Sequence, residues 1–469
     1  SSNFVSMDWA DFGVDLHLEL DASGGRRAGL ERALRDAIRD GRLPASTRLP
    51  ATRALAAELG LSRGTVSAAY DQLVAEGWLV ARIGAGTEVS PLRRVAPAPA
   101  APPPGPAPFR YDLRPGSPDV GLFPVTAWLR AVRRALAVAP AEAYGYGDPR
   151  GRPELRRALA GYLGRARGVL ADPERIVVTS GYVQALVLLT TVLRDAGTAT
   201  VAMEDPGLAF HREVVRRHGG TVLPLPVDGW GARADLLGTG TLARVGAAVV
   251  TPAHQYPAGV TLHPSRRHAL TDWARAGSGL VVEDDYDGEF RYDRQPVGAV
   301  QGTAPEQVAY VGTAAKALGP ALRLAWLVLP ARLVDPVVDA KRHLDLHTET
   351  IGQLALADLI DTHGYDRQVR TVRRRYRQRR DLLLARLGGR LTVEGISAGL
   401  HATVQLPADG PGEAEVLAAA AAHGLGLSGL AAHHHRAADQ PAGLVIGYAH
   451  PPAHAYPAAL DLLARVLPR

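Results

Sequence analysis

RLPATRALAAELGLSRGTVSAAYDQLVAEGWLVARIGAGTEV, residues 48–89, is the stretch that decides how the rest of the chain is read. Arg48-Leu49-Pro50-Ala51-Thr52-Arg53 opens a short helix that carries Leu55 and Leu59 and closes at Gly60. Ser62 is a good N-cap for the next helix, in which Val66, Ala69, Tyr70, Leu73 and Val74 recur at helical spacing and form a buried stripe. Upstream, Leu30, Leu34 and Ile38 mark one face of a further helix stopped by Gly41. Downstream, Trp78-Leu79-Val80 and Thr87-Glu88-Val89 are strand candidates around the Gly84-Ala85-Gly86 turn. Three short helices and a hairpin make a winged helix-turn-helix over residues 14–90.

Such a unit places its second motif helix in the major groove of double-stranded DNA, with base edges near the first turn and phosphates near the helix-start amides. Arg63 suits guanine or phosphate, and the hydroxyls of Ser62, Thr65 and Ser67 are short donors on the same turn as Gly64. Arg53 reaches toward the backbone from the preceding helix, Arg48 joins this set, and Gly84 lets the wing approach the minor groove. The chain carries a net charge of +6. Between residues 21 and 95 Arg exceeds Asp plus Glu by roughly four, which directs the search for phosphate contacts to this unit.

At 469 residues, 46% hydrophobic and 21% charged, the chain exceeds one core and reads as a soluble globular protein of two or three domains. Cysteine is absent, which excludes disulfides, thiolate zinc sites and Cys nucleophiles. No run of about 18 apolar residues and no secretory leader pattern is present, so no membrane partner and a cytoplasmic location are expected. PLRRVAPAPAAPPPGPAP, within a linker at residues 91–110, cannot build a core and reads as an extended spacer.

From residue 111 to 469, short β-rich apolar runs alternate with helical stretches, at residues 175–178, 199–203, 247–250, 279–282, 308–311 and 324–329. That alternation predicts an α/β domain with a mostly parallel sheet covered on both faces. Beyond about residue 370 an Arg-rich helix leads to the runs 402–406 and 444–448, a smaller C-terminal α+β lobe. Lysine is nearly absent, occurring only as Lys316 and Lys341. Arg replaces Lys where charge suffices, but not where an amine must form a Schiff base. Lys316 follows one strand, Arg323 lies seven residues on, and Asp284 and Tyr286 end another strand at the edge where open α/β sheets bind ligands. Thr179-Ser180-Gly181 joins a strand to a helix start, which offers amides to a phosphate. A lysine, an acid, a phenol, a cation and a phosphate cup are what pyridoxal 5'-phosphate (PLP) requires.

The run at residues 48–89 resembles the GntR family of winged-helix regulators almost without a gap. The order of YGYGDPRGRPELRRALAGYL (residues 144–163), VTSGYVQAL (178–186), EDP (204–206), TPAHQYPAGV (251–260), VEDDYDGEFRY (282–292) and VGTAAKALGPALRLAWLVLP (311–330) resembles its MocR-type subgroup. In that subgroup the winged helix is fused to a fold type I PLP aminotransferase-like domain. The resemblance implies that Lys316 forms the Schiff base, Asp284 pairs with the pyridinium, Tyr286 faces the ring oxygen, and Arg323, with Ser180 and Gly181, holds the phosphate. It also implies a head-to-tail homodimer. Departures from the pattern gather at the cofactor. Ala315 replaces a Ser, Tyr182-Val183 stand where Ser-Gln is common, Leu208 takes an aromatic position with Phe210 two residues on, and residues 443–447 lack the Arg that receives a substrate carboxylate.

Three readings follow. The chain is a regulator that senses PLP or an amino-compound adduct as small-molecule effector, without a catalytic set. It is instead a working aminotransferase with a DNA-binding module, or a regulator that has lost PLP and uses the pocket for another ligand. Asp284-Asp285 reads as an electrostatic anchor rather than a metal site, and His433-His434-His435 as a solvated loop, leaving no metal expected.

Overall fold

A computed structural model of the chain describes residues 25–82, 86–91, 109–277, 279–293, 297–387, 389, 391–436 and 441–467. Gly84 and most of the linker lie outside the described residues. The chain divides into two compact units, Ser1–Pro106 and Ala107–Arg469.

In the first unit, helices α1 (Arg26–Arg39), α2 (Thr52–Glu58) and α3 (Arg63–Ala75) precede strands β1 (Leu79–Arg82) and β2 (Gly86–Val89), which pair antiparallel with Leu79 opposite Val89. Leu30, Leu34, Leu55, Val66, Leu73, Leu79 and Val89 close one core. Arg35 ties α1 to the end of α3 through two hydrogen bonds to Glu76, each 2.7 Å. The middle helix starts at Thr52, later than the sequence suggests. Pro50 disfavours helical backbone at the residue before it, so Leu49 stays extended. Its N–H donates to the Thr87 carbonyl at 2.8 Å, and Arg48 bridges to Glu88, so both belong to the wing.

The second unit is built on strands β3 (Ile176–Thr179), β4 (Thr200–Asp205), β5 (Thr221–Asp228), β6 (Gly231–Ala232), β7 (Ala247–Val250), β8 (Leu280–Asp285), β9 (Val308–Thr313) and β10 (Ala325–Val328). They form one sheet in the order β3-β10-β9-β8-β7-β4-β5-β6. β9, β8, β7, β4 and β5 run parallel, and β10 is antiparallel to both of its neighbours. The strand at β5 escaped the sequence reading because Pro224 and Pro226 interrupt it. It tolerates them near the edge of the sheet, where its outer neighbour β6 pairs only with Val227 and Asp228.

Period-two alternation buries both faces of this sheet. Leu280 and Val282 pack with helix α4 (Tyr182–Asp195), while Val281 packs in a separate core on the other side. A long helix, α6 (Gly364–Leu387), reached after helix α5 (Ala209–Arg217) and the sheet, leads to a smaller lobe. There β11 (Val393–Glu394), β12 (His401–Gln405), β13 (Ser428–Gly429) and β14 (Gly443–Gly447) form a sheet in the order β11-β12-β14-β13. Among the described residues no helix is long and apolar enough to cross a membrane.

Candidate functional site

The alternation in β8 assigns adjacent acids to opposite faces. Asp285 turns to one side, where Arg167 grips it at 2.6 and 2.9 Å with both side chains 2% exposed, and the Tyr310 hydroxyl donates to it at 2.7 Å. Asp284 turns to the other side and lines a cavity of about 280 Å³ at the carboxyl edge of the sheet, between it and the small lobe. Its Oδ1 is buried and has no hydrogen-bond partner. Burial pushes the Asp284 carboxyl well above the usual carboxylate range.

Lys316, Tyr286, Arg323 and Gly181 line the same cavity. Lys316 follows β9, and its amine donates to the Gly116 carbonyl at 2.5 Å. Burial lowers its pKa, against the pull of Asp287 and Asp284. The Tyr286 hydroxyl lies 3.2 Å from His254 Nδ1, which is itself 2.8 Å from Asp287.

Arg323 adopts left-handed backbone at φ 53, a conformation that non-glycine residues keep only when the surroundings hold it, and its Nη2 donates to the Ser180 carbonyl at 2.6 Å. Gly181 has φ 89, and a Cβ there would sit 2.5 Å from Arg323 Nη2. This glycine therefore serves both the turn and the close approach of the guanidinium. It caps α4, whose first amides have no carbonyl a turn earlier to bond. Free amides at a helix start beside a guanidinium form an anion cradle.

The structure brings Lys316, Asp284, Tyr286, Arg323 and Gly181 to one cavity, with the Ser180 carbonyl fixing Arg323. It also gives a place to Tyr182, which the sequence marked only as a departure, and adds His211, Leu400, His401 and Glu204, which the sequence did not single out. Tyr182, the first residue of α4, stacks on His211 with centroids 4.5 Å apart and planes at 28°, and its buried hydroxyl is close enough to Asp284 for the two groups to shift each other's pKa. Of the two residues considered for ring stacking, Leu208 reaches the cavity and Phe210 points away, 59% exposed. His211 stands three residues after Leu208, on the same helix face, and that spacing was the available signal. Leu400 and His401 close the cavity from the small lobe, and burial keeps His401 neutral well below its ordinary pKa.

Glu204 is a further acid in the cavity wall, held by Thr251 at 2.6 and 3.1 Å and by Gln255 at 3.0 Å. Burial raises its pKa to about 7, above the ordinary 4.5. Folding therefore favours its protonated form. That contribution is complete below pH 4.5 and is lost as pH rises through 7. Thermal unfolding of Glu204→Gln beside the wild type is expected to show a gap that shifts in favour of the variant between pH 5 and pH 8; a constant gap would contradict the assignment.

The histidine run is not a solvated loop. His433 is buried, and Arg212 donates to the His433 and His434 carbonyls at 2.8 and 3.0 Å. His434 Nδ1 lies 2.9 Å from Asp205. The segment is docked against the end of β4, because Arg212 bonds its carbonyls and Asp205 bonds the His434 ring and the His435 N–H. No group of three or more His, Asp or Glu side chains able to hold a metal ion is found among the described residues.

In the first unit Ser62 caps α3, its Oγ accepting from Thr65 N at 3.1 Å and meeting Thr65 Oγ1 at 2.8 Å. Arg63 and Gly64 are exposed on the first turn of α3, with Thr65 and Ser67 half-buried, and Arg53 is exposed on α2. The Arg48 guanidinium lies over Gly86, within 3.4 Å of where a Cβ would be.

A winged helix-turn-helix linked to an aminotransferase-like unit defines a DNA-binding regulator on an enzyme scaffold. Residues 27–89 match the bacterial regulatory proteins of the gntR family, and residues 112–421 match aminotransferase class I and II. The probable rhizopine catabolism regulatory protein MocR of Rhizobium meliloti is 33% identical over 92% of this chain and 92% of its own length. The HTH-type pyridoxine biosynthesis transcriptional regulator PdxR of Corynebacterium glutamicum is 31% identical over 89% of this chain and 91% of its own. Among solved structures, the kynurenine aminotransferase of Pyrococcus horikoshii superposes with a TM-score of 0.68 at 24% identity, covering 77% of this chain and 91% of that one. The chain belongs to the GntR family of bacterial regulators, in its MocR-type subgroup, and is a DNA-binding transcription regulator with a fold type I aminotransferase-like domain.

Proposed function

We propose that the aminotransferase-like unit holds PLP at Lys316 and that its occupancy by PLP or an amino-compound adduct sets how the regulator engages DNA. The observation that carries this reading is the orphaned, buried Oδ1 of Asp284 in the cavity that Lys316 also lines. The Tyr182 hydroxyl is the one nearby donor acting on this carboxyl, so it is buried short of donors, and a pyridinium N–H would supply another. The remaining residues fit the same group. Tyr286 would meet the ring oxygen, and Arg323 with the amides at Gly181 and Tyr182 would hold the phosphate, while Gly181 leaves the room a Cβ would fill. When bound, PLP supplies an electrophilic aldehyde that amines capture reversibly. Because the cavity is walled by both the large sheet and Leu400 and His401 of the small lobe, a ligand touching both biases how the lobes close.

Titration of the purified protein with PLP tests the reading. A saturable absorption band near the visible edge is expected, and its absence at excess PLP would overturn the reading.

Sensing rather than turnover is favoured by the cavity lining, whose only arginines among the described residues are Arg323, assigned to the phosphate, and Arg212. Residues 443–447 are buried and apolar, and Arg212, which lines the cavity, is already committed to three carbonyls. Self-association is supported by exposed apolar side chains on the second unit, among them Val125, Leu129, Tyr144, Tyr146, Leu344 and Leu346, and the head-to-tail order of the homodimer is what the resemblance to the MocR-type subgroup implies. On the first unit, Arg63, Ser62, Gly64, Thr65 and Ser67 of the α3 turn contact the major groove, with Arg53 and Arg48 on the backbone. Arg63→Ala is expected to weaken binding to a duplex from the chain's own promoter by about 1–3 kcal/mol, roughly five- to 150-fold. Mobility-shift titration reads this, and an unchanged midpoint would exclude Arg63 from the interface.

A further inference from the structure

Helix α6 carries nine arginines against two aspartates, a net +7 that exceeds the +6 of the entire chain. Its apolar face is fully engaged. Val369, Val372, Tyr376, Leu383 and Leu387 are buried in the main core, which fixes the rotation of the helix. Some of its arginines are structural. Arg379 is buried and bonds the Tyr448 and Ala449 carbonyls and Asp119, Arg380 reaches Ser397 Oγ at 3.3 Å, and Arg386 pairs with Asp461 at 2.6 Å.

The outward face is different. Arg367, Arg370, Arg374 and Arg377 are exposed at spacings of three, four and three residues, which places them along one side of the helix. With Arg373 and Thr371, the first three line a shallow cavity of about 300 Å³. None of these guanidinium groups has a carboxylate or other side-chain partner among the described residues. The nearest acid on the helix before them, Asp366, is taken by Arg165 at 3.2 Å. Like charges held together in this way repel, whereas several other solvent-accessible arginines of this unit are paired with acids, among them Arg134–Asp358, Arg150–Glu174 and Arg175–Glu306.

We propose that this face of α6 is a second DNA-binding surface, which engages the phosphate backbone beside the site held by the winged helix. Four guanidinium groups over eleven residues span about 15 Å of helix, close to the axial length over which one DNA strand carries four phosphates. Arginine without aromatic or hydroxyl-rich company reads charge and spacing rather than base sequence, so the surface adds affinity and orientation without specificity. The occupant is DNA because the same chain already binds DNA through its first unit. The 17 residues between 91 and 109 tether the two units, so the second contact forms at high effective concentration. This inference stands apart from the PLP reading, since no residue of the stripe lines that cavity.

The test compares the full chain with a variant in which Arg367, Arg370, Arg374 and Arg377 are all changed to Gln, on two duplexes from its own promoter. One is limited to the winged-helix footprint and the other is extended by several helical turns on both sides. On the long duplex the variant should lose about 3–4 from the slope of log affinity against log salt, at about 0.9 per phosphate contact, and more than tenfold in affinity near 0.1 M salt. On the short duplex the two proteins should coincide. A second variant with Lys at the four positions keeps the charge and should restore the long-duplex slope. Equal slopes on the long duplex would overturn the proposal, as would an equal loss on both duplexes. Preserved DNA binding with lost binding to anionic phosphatidylserine vesicles would assign the face to a membrane surface and overturn it too.

Discussion

Asp285→Ala is expected to lower the stability of the aminotransferase-like unit by about 3–5 kcal/mol, a downward shift of several degrees or more in its thermal midpoint. The pair it breaks is almost wholly removed from water, with Arg167 and Asp285 each 2% exposed. Burial alone works against the Arg167 charge, but the neighbouring carboxylate outweighs it and holds the guanidinium protonated. Removing the acid leaves that charge without a partner and also strips the Tyr310 hydroxyl of its acceptor. A Cβ at Gly288 would fall 2.0 Å from Asp285 Oδ1 and 2.2 Å from Arg167 Nη2, so the backbone is moulded around the pair. Asp284→Ala is the matched control. That side chain sits one residue away on the opposite face with Oδ1 unpartnered, and its removal should leave stability within about 1 kcal/mol of wild type or raise it. Thermal unfolding at pH 7 separates the two, and equal losses would contradict the division of roles.

Lys316→Ala carries the other large effect, complete loss of covalent PLP attachment. The chain has two lysines, so the experiment has a natural internal control. Lys341 is buried, its amine pairs with Asp345 at 2.9 Å and Gln184 at 3.2 Å, and it does not line the cavity. Lys316 has its pKa lowered by burial, so more of it is the neutral amine that attacks an aldehyde at a given pH. The absorption band and the mass increment after borohydride reduction should vanish in Lys316→Ala and persist in Lys341→Ala. Persistence of both signals in Lys316→Ala would remove this lysine from the site.

Much of this was legible in the sequence, for identifiable reasons. The winged helix could be read because capping residues, glycine stops and helical spacing all agree from Ser62 to Leu73. The sheet could be read because doubly buried strands are unbroken apolar runs, and the one with two prolines was missed. Lys316, Asp284, Tyr286 and Arg323 stood out as chemically unusual residues at strand ends. What could not be read depends on side-chain direction and distant contacts. Asp284 and Asp285 are indistinguishable as letters and are separated only by the pleat. His433 to His435 look solvated until Asp205 and Arg212, over 220 residues away in sequence, are seen to hold them. Charge counted over the first fifth of the chain drew attention from α6, whose arginines matter because of which ones the fold leaves unpaired.

PLP held at Lys316 is expected to change the affinity of the regulator for DNA. The most direct measurement is the equilibrium affinity of the full-length protein for a duplex from its own promoter, PLP-free and PLP-saturated, with Lys316→Ala alongside. A difference of at least about fivefold is expected in wild type, corresponding to a coupling of about 1 kcal/mol or more, and none in Lys316→Ala. Superimposable wild-type curves with PLP bound would contradict it.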